Sequence, residues 1–203
     1  LLREHQLLSP SRQPEAVRSN PHEGTIVTET PNQMWGTDAT ATFTEAEGSV
    51  TVFAAIDHCT AECVGIYAVK KATRFEALEP IRQGVKEYFA GFSAGAAAGL
   101  QLRHDHGSVY MSDDFQNEIN FLGIEPSPAF VRQPEGNGCI ERFFRTLKEQ
   151  LLWIRRFRDL AELRTALIEF RDRYNHQWIL ERLDYRTPVQ ARRDFHLELE
   201  VAA

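Results

Sequence analysis

The sequence predicts a mixed α/β fold, in which helices cover the faces of a mixed β-sheet. Three strand-like segments joined by short turns come first, and two short strands then alternate with helical segments. Short turns join antiparallel neighbours, so the first three strands are expected to form a meander. The two later strands are each reached through a helix, and we expect them to add parallel to that meander.

The first strand is predicted to begin near Met34, where a period-two pattern starts. Larger side chains alternate with smaller ones from Trp35 to Phe43, and Asp38 lies on the smaller-residue face. A turn at 45–48 and an apolar run at 50–56 predict a buried second strand, and 63–69 predicts the third. Acidic side chains are poor strand residues, so the position of Asp38 must be explained by a turn, by exposure to solvent or by a bound ligand.

A helix is predicted after Thr73, which forms a capping box with Glu76. Pro80 lies inside this helix and removes a backbone hydrogen bond, so we expect a kink or two short helices. A short strand at 100–103 then brings Asp105 to its C-terminal end, and Ser112 caps the next helix.

The segment from residue 124 predicts another brief strand, followed by a glycine-bearing loop at 130–138 and a helix. The apolar positions of this helix repeat at helical spacing and predict a buried stripe: Ile140, Phe144, Leu147, Leu151 and Ile154. The other face carries Glu141, Arg145 and Lys148, which places one acid at the head of a short basic row. Further caps at Asp159 and at Thr187 predict a long helix and a last short one.

Composition and length are those of a globular chain with one sizeable core. The chain has 203 residues, of which 42% are hydrophobic and 26% are charged. Uncharged apolar runs are too short to span a bilayer, which argues against a membrane role. No export leader opens the chain, so we expect a cytoplasmic protein. Prolines among polar residues predict a linker or wrapping arm over 1–33.

The charge of the chain is unevenly distributed. The net charge is −6, but residues 141–193 hold 13 Lys and Arg against 8 Asp and Glu. A basic C-terminal third is compatible with one DNA-facing surface, and equally with charged helices in water. Charge therefore leaves both interpretations open.

Three acids, Asp38, Asp105 and Glu141, come from elements that the predicted order allows to be neighbours. Three nearby negative charges raise one another's pKa, and a divalent cation makes such a cluster tolerable. Oxygen ligands favour Mg²⁺ or Mn²⁺ over Zn²⁺. Two such ions would support in-line phosphoryl transfer by activating the attacking oxygen and stabilising the leaving one.

The motifs around these acids resemble a known family. Three segments carry the resemblance, 35–40 (WGTDAT), 104–110 (HDHGSVY) and 137–148 (NGCIERFFRTLK), and 35 residues separate Asp105 from Glu141. A C-terminal signature follows at 174–175 (YN) and 186–188 (RTP). The pattern resembles the DDE triad of the retroviral-integrase superfamily, and specifically the catalytic core of bacterial insertion-sequence transposases.

That resemblance implies a ribonuclease H-like catalytic core over 34–195, followed by a tail at 196–203. It implies a polynucleotidyl transferase in which Asp38, Asp105 and Glu141 bind Mg²⁺ or Mn²⁺, two ions with substrate present. The activity would be cleavage of mobile-element DNA ends and their transfer to target DNA. It also implies a helix-turn-helix domain upstream, missing from this chain, and a homo-oligomer assembled on DNA. Carried over by motif, the residues expected to contact DNA are Asn137, Arg145 and Lys148.

Two other hypotheses remain open. A catalytically silent DNA-binding or assembly module is compatible with the acidic balance and with His106, where many relatives carry Asn or Arg. A simple nuclease of the same fold would hydrolyse DNA without joining it.

Overall fold

The computed structural model describes residues 28–89, 91–128 and 137–202. The predicted linker over 1–33 lies mostly outside the described residues, and so does most of the predicted loop at 130–138.

A five-stranded mixed sheet forms the centre of the fold. Its strands are β1 (Met34–Thr44), β2 (Gly48–Asp57), β3 (Cys63–Val69), β4 (Gln101–His104) and β5 (Glu125–Pro128). Their spatial order is β3-β2-β1-β4-β5, in which β1 to β3 are antiparallel and β4 and β5 are parallel additions. The prediction of three antiparallel strands plus two short parallel ones is confirmed, and β1 lies in the middle.

Five α-helices pack on this sheet. They are α1 (Arg74–Tyr88), α2 (Asp113–Phe121), α3 (Gly138–Leu147), α4 (Leu160–Gln177) and α5 (Pro188–Ala202). A π-helical turn at Lys148–Leu152 continues α3, and a 3₁₀ turn at Glu181–Leu183 precedes α5. The capping box of Thr73 is present, and the Asp159 carboxylate accepts from the Glu162 amide at 2.8 Å. None of the helices in the described ranges is long and apolar enough to cross a bilayer.

Two apolar cores lie on opposite faces of the sheet. Alternate residues of β2, among them Val52 and Ala54, pack against α3 and α4 on one face. The intervening residues, such as Phe53, pack with Trp35 of β1 and with α1 and α2 on the other. Because side chains alternate across a strand, successive residues of β1 also face opposite sides of the sheet, and therefore different helices.

The turn after β2 is tied to α5 by buried charges. The Asp57 carboxylate accepts from the amides of Cys59 and Thr60, both at 2.9 Å, which is the turn role expected of an aspartate there. Its other oxygen lies 3.4 Å from a guanidinium nitrogen of Arg192, and Arg192 also pairs with the buried Glu62. The last helix is therefore fixed to the sheet by ion pairs as well as by apolar contacts.

Of the two outcomes expected at Pro80, a kink or two short helices, the second is wrong, because α1 remains one helix from Arg74 to Tyr88. Pro80 is buried against β3, where a Cβ added to Gly65 would lie 2.0 Å from the Pro80 carbonyl oxygen. Leu78 and Ile81 are buried on either side of it. Apolar packing on both sides outweighs one lost helical hydrogen bond.

The predicted buried stripe of the later helix is wrong at its end. Ile154 is 72% exposed, and the neighbouring Trp153 is 70% exposed. The amide of Trp153 donates to the carbonyl of Lys148 at 2.9 Å, which is the five-residue spacing of a π-helix. This wider turn rotates the residues after it relative to the α-helical stripe, so the stripe ends at Leu151.

Candidate active site

The first two acids come from neighbouring parallel strands. Gly36 of β1 is paired with Arg103 of β4, and both strands run in the same direction. Two residues further along each strand direction lie Asp38 and Asp105, the latter immediately after β4. Trp35 faces the core of α1 and α2, so Asp38 faces the opposite side, on which α3 packs.

Glu141 lies in the first turn of α3, with its side chain exposed. The helix is held against β1 and β2 by buried side chains on its inner face, including Ile140, Phe144 and Leu147. Phe143, which the predicted stripe omitted, also belongs to this core and packs edge-on against Tyr174. Glu141 is therefore carried by a firmly packed helix above the face of β1 that bears Asp38.

The electrostatics of Asp38 link these acids. Burial raises the pKa of its carboxyl above the ordinary value, and the hydrogen bond from the Ala39 amide, at 2.7 Å, opposes that rise. The negative charges of Asp105 and Glu141 raise it further, while the charge of Lys148 lowers it. Two carboxylates and one ammonium group thus act on the carboxyl of Asp38.

These acids are not drawn together into a closed cation site. Among the residues that the structure describes, no three His, Cys, Asp or Glu side chains are close enough to hold one metal ion. Asp105 is exposed, and its Oδ1 accepts from the Gly107 amide at 2.8 Å. Three carboxylates that repel one another nevertheless fit a hard divalent cation as a donor set. Coordination would require their side chains to turn towards each other.

The residues expected to contact DNA differ in their surroundings. Lys148 is half-buried, and its charge reaches Asp38. Arg145 is exposed and pairs with Glu149 at 3.0 Å. Asn137 is only 8% exposed, so contact with DNA requires its side chain to turn outwards. The DNA contacts of these three residues stay predictions.

Tyr110 lies beside the acids, and sequence reasoning gave it no role. It is 3% exposed, and its ring stacks on the imidazole of His104, with ring centroids 5.7 Å apart. Burial raises the pKa of its hydroxyl above the ordinary value, and the charges of Asp38 and Asp105 add to that rise. Its place five residues after Asp105 in the second motif was the available signal, but burial could not be read from the motif.

Comparison with known proteins agrees with this geometry. Residues 122–188 match the family model described as integrase core domain. Over 188 residues, which is 93% of this chain, the sequence is 24% identical to two insertion-element transposases. They are the InsD transposases of IS2A/D/F/H/I/K from Escherichia coli and of IS2D from Escherichia coli strain K12. The chain spans 62% of the length of each.

Solved integrase structures are similar in fold. The catalytic core domain of HTLV-2 integrase in complex with magnesium gives a TM-score of 0.58 at 18% identity, over 81% of this chain and 98% of that one. The catalytic core domain of BIV integrase gives 0.59 at 19% identity, over 84% and 97%. A chain of a simian T-cell lymphotropic virus intasome gives 0.65 at 22% identity, over 80% and 55%.

The chain thus has the ribonuclease H-like fold of integrase catalytic cores, and its residues 122–188 match the integrase core domain. Its distant similarity to the IS2 transposases confirms the resemblance recognised in the motifs.

Proposed function

We propose that this chain is the catalytic core of a DNA transposase, which cleaves the ends of a mobile element and joins them to target DNA. The observation that carries the proposal is the shared electrostatic environment of Asp38, Asp105 and Glu141 on one face of an integrase-core sheet. The IS2 transposases and the magnesium complex of HTLV-2 integrase support the same class of activity.

Asp38, Asp105 and Glu141 are the residues that would hold Mg²⁺ or Mn²⁺, two ions when DNA is present. Such ions supply charge neutralisation and polarise the attacking and leaving oxygens of an in-line displacement. Asp38 and Asp105 are each oriented by a backbone amide, whereas Glu141 is carried by α3. Two carboxylates are therefore fixed at the sheet, and the third completes the set from the helix.

In the joining step, the 3′ oxygen of a cleaved element end forms a bond to a phosphorus of the target strand. The bond from that phosphorus to the target's own 3′ oxygen breaks, the proton of the attacking hydroxyl passes to solvent, and the leaving oxygen takes up a proton to become a free 3′-hydroxyl. One phosphodiester replaces another, so the step consumes no energy source. Lys148, whose charge already acts on Asp38, is suited to hold a phosphate next to the acids.

Arg145 would contact the DNA backbone by exchanging Glu149 for a phosphate, and Asn137 by turning out of its buried position. Joining two ends also requires that both be held together, which favours a homo-oligomer on DNA. Recognition of the ends would come from a helix-turn-helix domain outside this chain. The site of action would be DNA in the bacterial cytoplasm.

Strand transfer on an oligonucleotide that carries the element's terminal sequence, with Mn²⁺ or Mg²⁺, tests the proposal. Asp38→Asn, Asp105→Asn and Glu141→Gln are each expected to reduce joining to below about one thousandth. Glu169→Gln is the matched control, because Glu169 is also an exposed helical glutamate but lies on α4. It should leave joining unchanged.

Asp38→Asn also has a readout that does not depend on activity. The folded-state pKa of Asp38 is raised, so its ionised form costs stability at neutral pH, and that cost disappears as the pH falls through the folded-state pKa. Without metal, the Asn variant should therefore melt at a higher temperature at pH 7 while being inactive. Joining that survives all three acid substitutions would refute the proposal.

A second candidate is a catalytically silent DNA-binding or assembly module. The net charge of −6 and His106 next to Asp105 favour it. It predicts salt-dependent DNA binding without metal-dependent cleavage, and a nuclease would instead hydrolyse ends without joining them.

A further inference from the structure

Two buried polar side-chain atoms lie close to Gly36. His58 follows β2 directly, and Asn137 precedes α3, and each is only 8% exposed. A Cβ built on Gly36 would lie 2.6 Å from Nε2 of His58 and 3.0 Å from Oδ1 of Asn137. The two atoms are therefore separated by at most the sum of those distances. Neither has a hydrogen-bond partner within the described ranges.

The chemistry of the two groups is complementary. Burial lowers the pKa of His58 to about 4, and the positive charges of Arg182 and Arg103 add to this effect, while Asp57 opposes it. The imidazole is therefore neutral at pH 7 and carries a proton on one of its two nitrogens. An amide oxygen accepts, so a proton on Nε2 lets the pair satisfy both atoms. A donated hydrogen bond from Arg182 to the His58 carbonyl oxygen, at 3.0 Å, holds the histidine backbone in place.

A hydrogen bond between these two atoms would join the elements that carry two of the acids. Gly36 and Asp38 lie on the same face of β1, two residues apart. Asn137 lies at the N-cap of α3 but makes no side-chain capping bond there. Its amide oxygen is therefore available to accept a hydrogen bond from a residue outside the helix. Glu141 follows it in the first turn of the same helix.

We propose that His58 is a positioning residue. In the DNA-free chain, a small movement of the two side chains lets its Nε2–H donate to Oδ1 of Asn137 beside Gly36, and so fixes the first turn of α3, and Glu141 with it, above Asp38. The catalytic meaning of this contact rests on the proposed function, but the contact itself does not.

Amide hydrogen exchange and imidazole nitrogen NMR on the apo chain test the contact. His58→Phe keeps an aromatic ring, one atom larger, and removes the donor, and it is expected to speed exchange of the first hydrogen-bonded amides of α3, at 141–143, by about 5- to 10-fold while 145–147 stays unchanged. His58→Gln restores a donor and should recover part of the protection. His176→Phe, at an exposed histidine of α4, is the matched control and should change nothing.

The NMR experiment keeps the test valid if His58→Phe is poorly folded. In the unaltered protein, the Nε2–H tautomer should predominate, and Asn137→Leu should shift the Nε2 signal. Unchanged exchange in His58→Phe, an identical defect in His58→Gln, or a dominant Nδ1–H tautomer would each overturn the proposal.

Strand transfer then separates the contact from the proposed function. His58→Phe should slow joining about 10-fold, with partial recovery in His58→Gln. If the unaltered chain joins no DNA but shows the exchange and tautomer pattern, the proposed function fails and the contact stands. If joining is normal in His58→Phe, the positioning role fails and the proposed function stands.

Discussion

A methyl group added at Gly36 measures how tightly β1, β2 and α3 pack beside Asp38. The new Cβ would lie 2.6 Å from Nε2 and 3.3 Å from Cδ2 of the His58 ring, and 3.0 Å from Oδ1 of Asn137. Ordinary contacts begin at 3.4 Å, so the ring or the amide must move by a large fraction of an ångström. Overpacking of this kind costs about 1–3 kcal/mol. Alanine also reduces the conformational entropy of the unfolded chain relative to glycine, which stabilises the folded protein by about 0.4–1 kcal/mol.

Gly36→Ala should therefore lower the free energy of unfolding by about 1.3 kcal/mol, the difference between the midpoints of these two ranges, measured by urea denaturation at pH 7. Gly138→Ala is the matched control, because no atom lies within 4 Å of its added Cβ at the start of α3. That variant should be unchanged or up to about 1 kcal/mol more stable.

A double-mutant cycle identifies the colliding group. His58→Ala removes the ring, so Gly36→Ala should cost less than half as much in that background. An equal cost with and without the ring, or no cost in the unaltered protein, would refute the packing described here.

Two further predictions concern buried charge. Arg192→Met leaves the buried carboxylates of Asp57 and Glu62 without their cation and should destabilise the fold by about 3–5 kcal/mol in urea, whereas Arg193→Met, at the exposed neighbour, should have little effect. The pKa of His58 is about 4 when folded and 6.5 when unfolded, so the unfolded chain binds the proton first as the pH falls. Stability should drop by about 2–3 kcal/mol from pH 7 to pH 4.5 through this group, and His58→Gln should lack that component of the pH dependence.

Local chemistry made much of the fold readable from the sequence. The capping residues Thr73 and Asp159 begin their helices as predicted, because a cap depends on residues only three positions apart. The period-two pattern from Trp35 correctly predicted the first strand and placed Asp38 on the face opposite Trp35. Motif spacing indicated three acids on elements that proved to be neighbours, since parallel register brings Asp38 and Asp105 side by side.

Other features depend on contacts between distant parts of the chain. Pro80 is tolerated in α1 because burial against β3 offsets a local defect, and no local rule contains that contact. Ile154 left the buried face because one π-helical turn changed the phase of the helix, which a pattern of fixed period cannot anticipate.

The sequence by itself determined the order of the elements and most of their ends, and it indicated three acids on neighbouring elements, because periodicity, capping and motif spacing act over short distances. The tertiary structure alone decided that His58 would be buried facing Asn137 and that Arg192 would lie between two buried carboxylates. Burial and pKa depend on which surfaces meet in space. That meeting is set by the packing of the whole sheet and its helices.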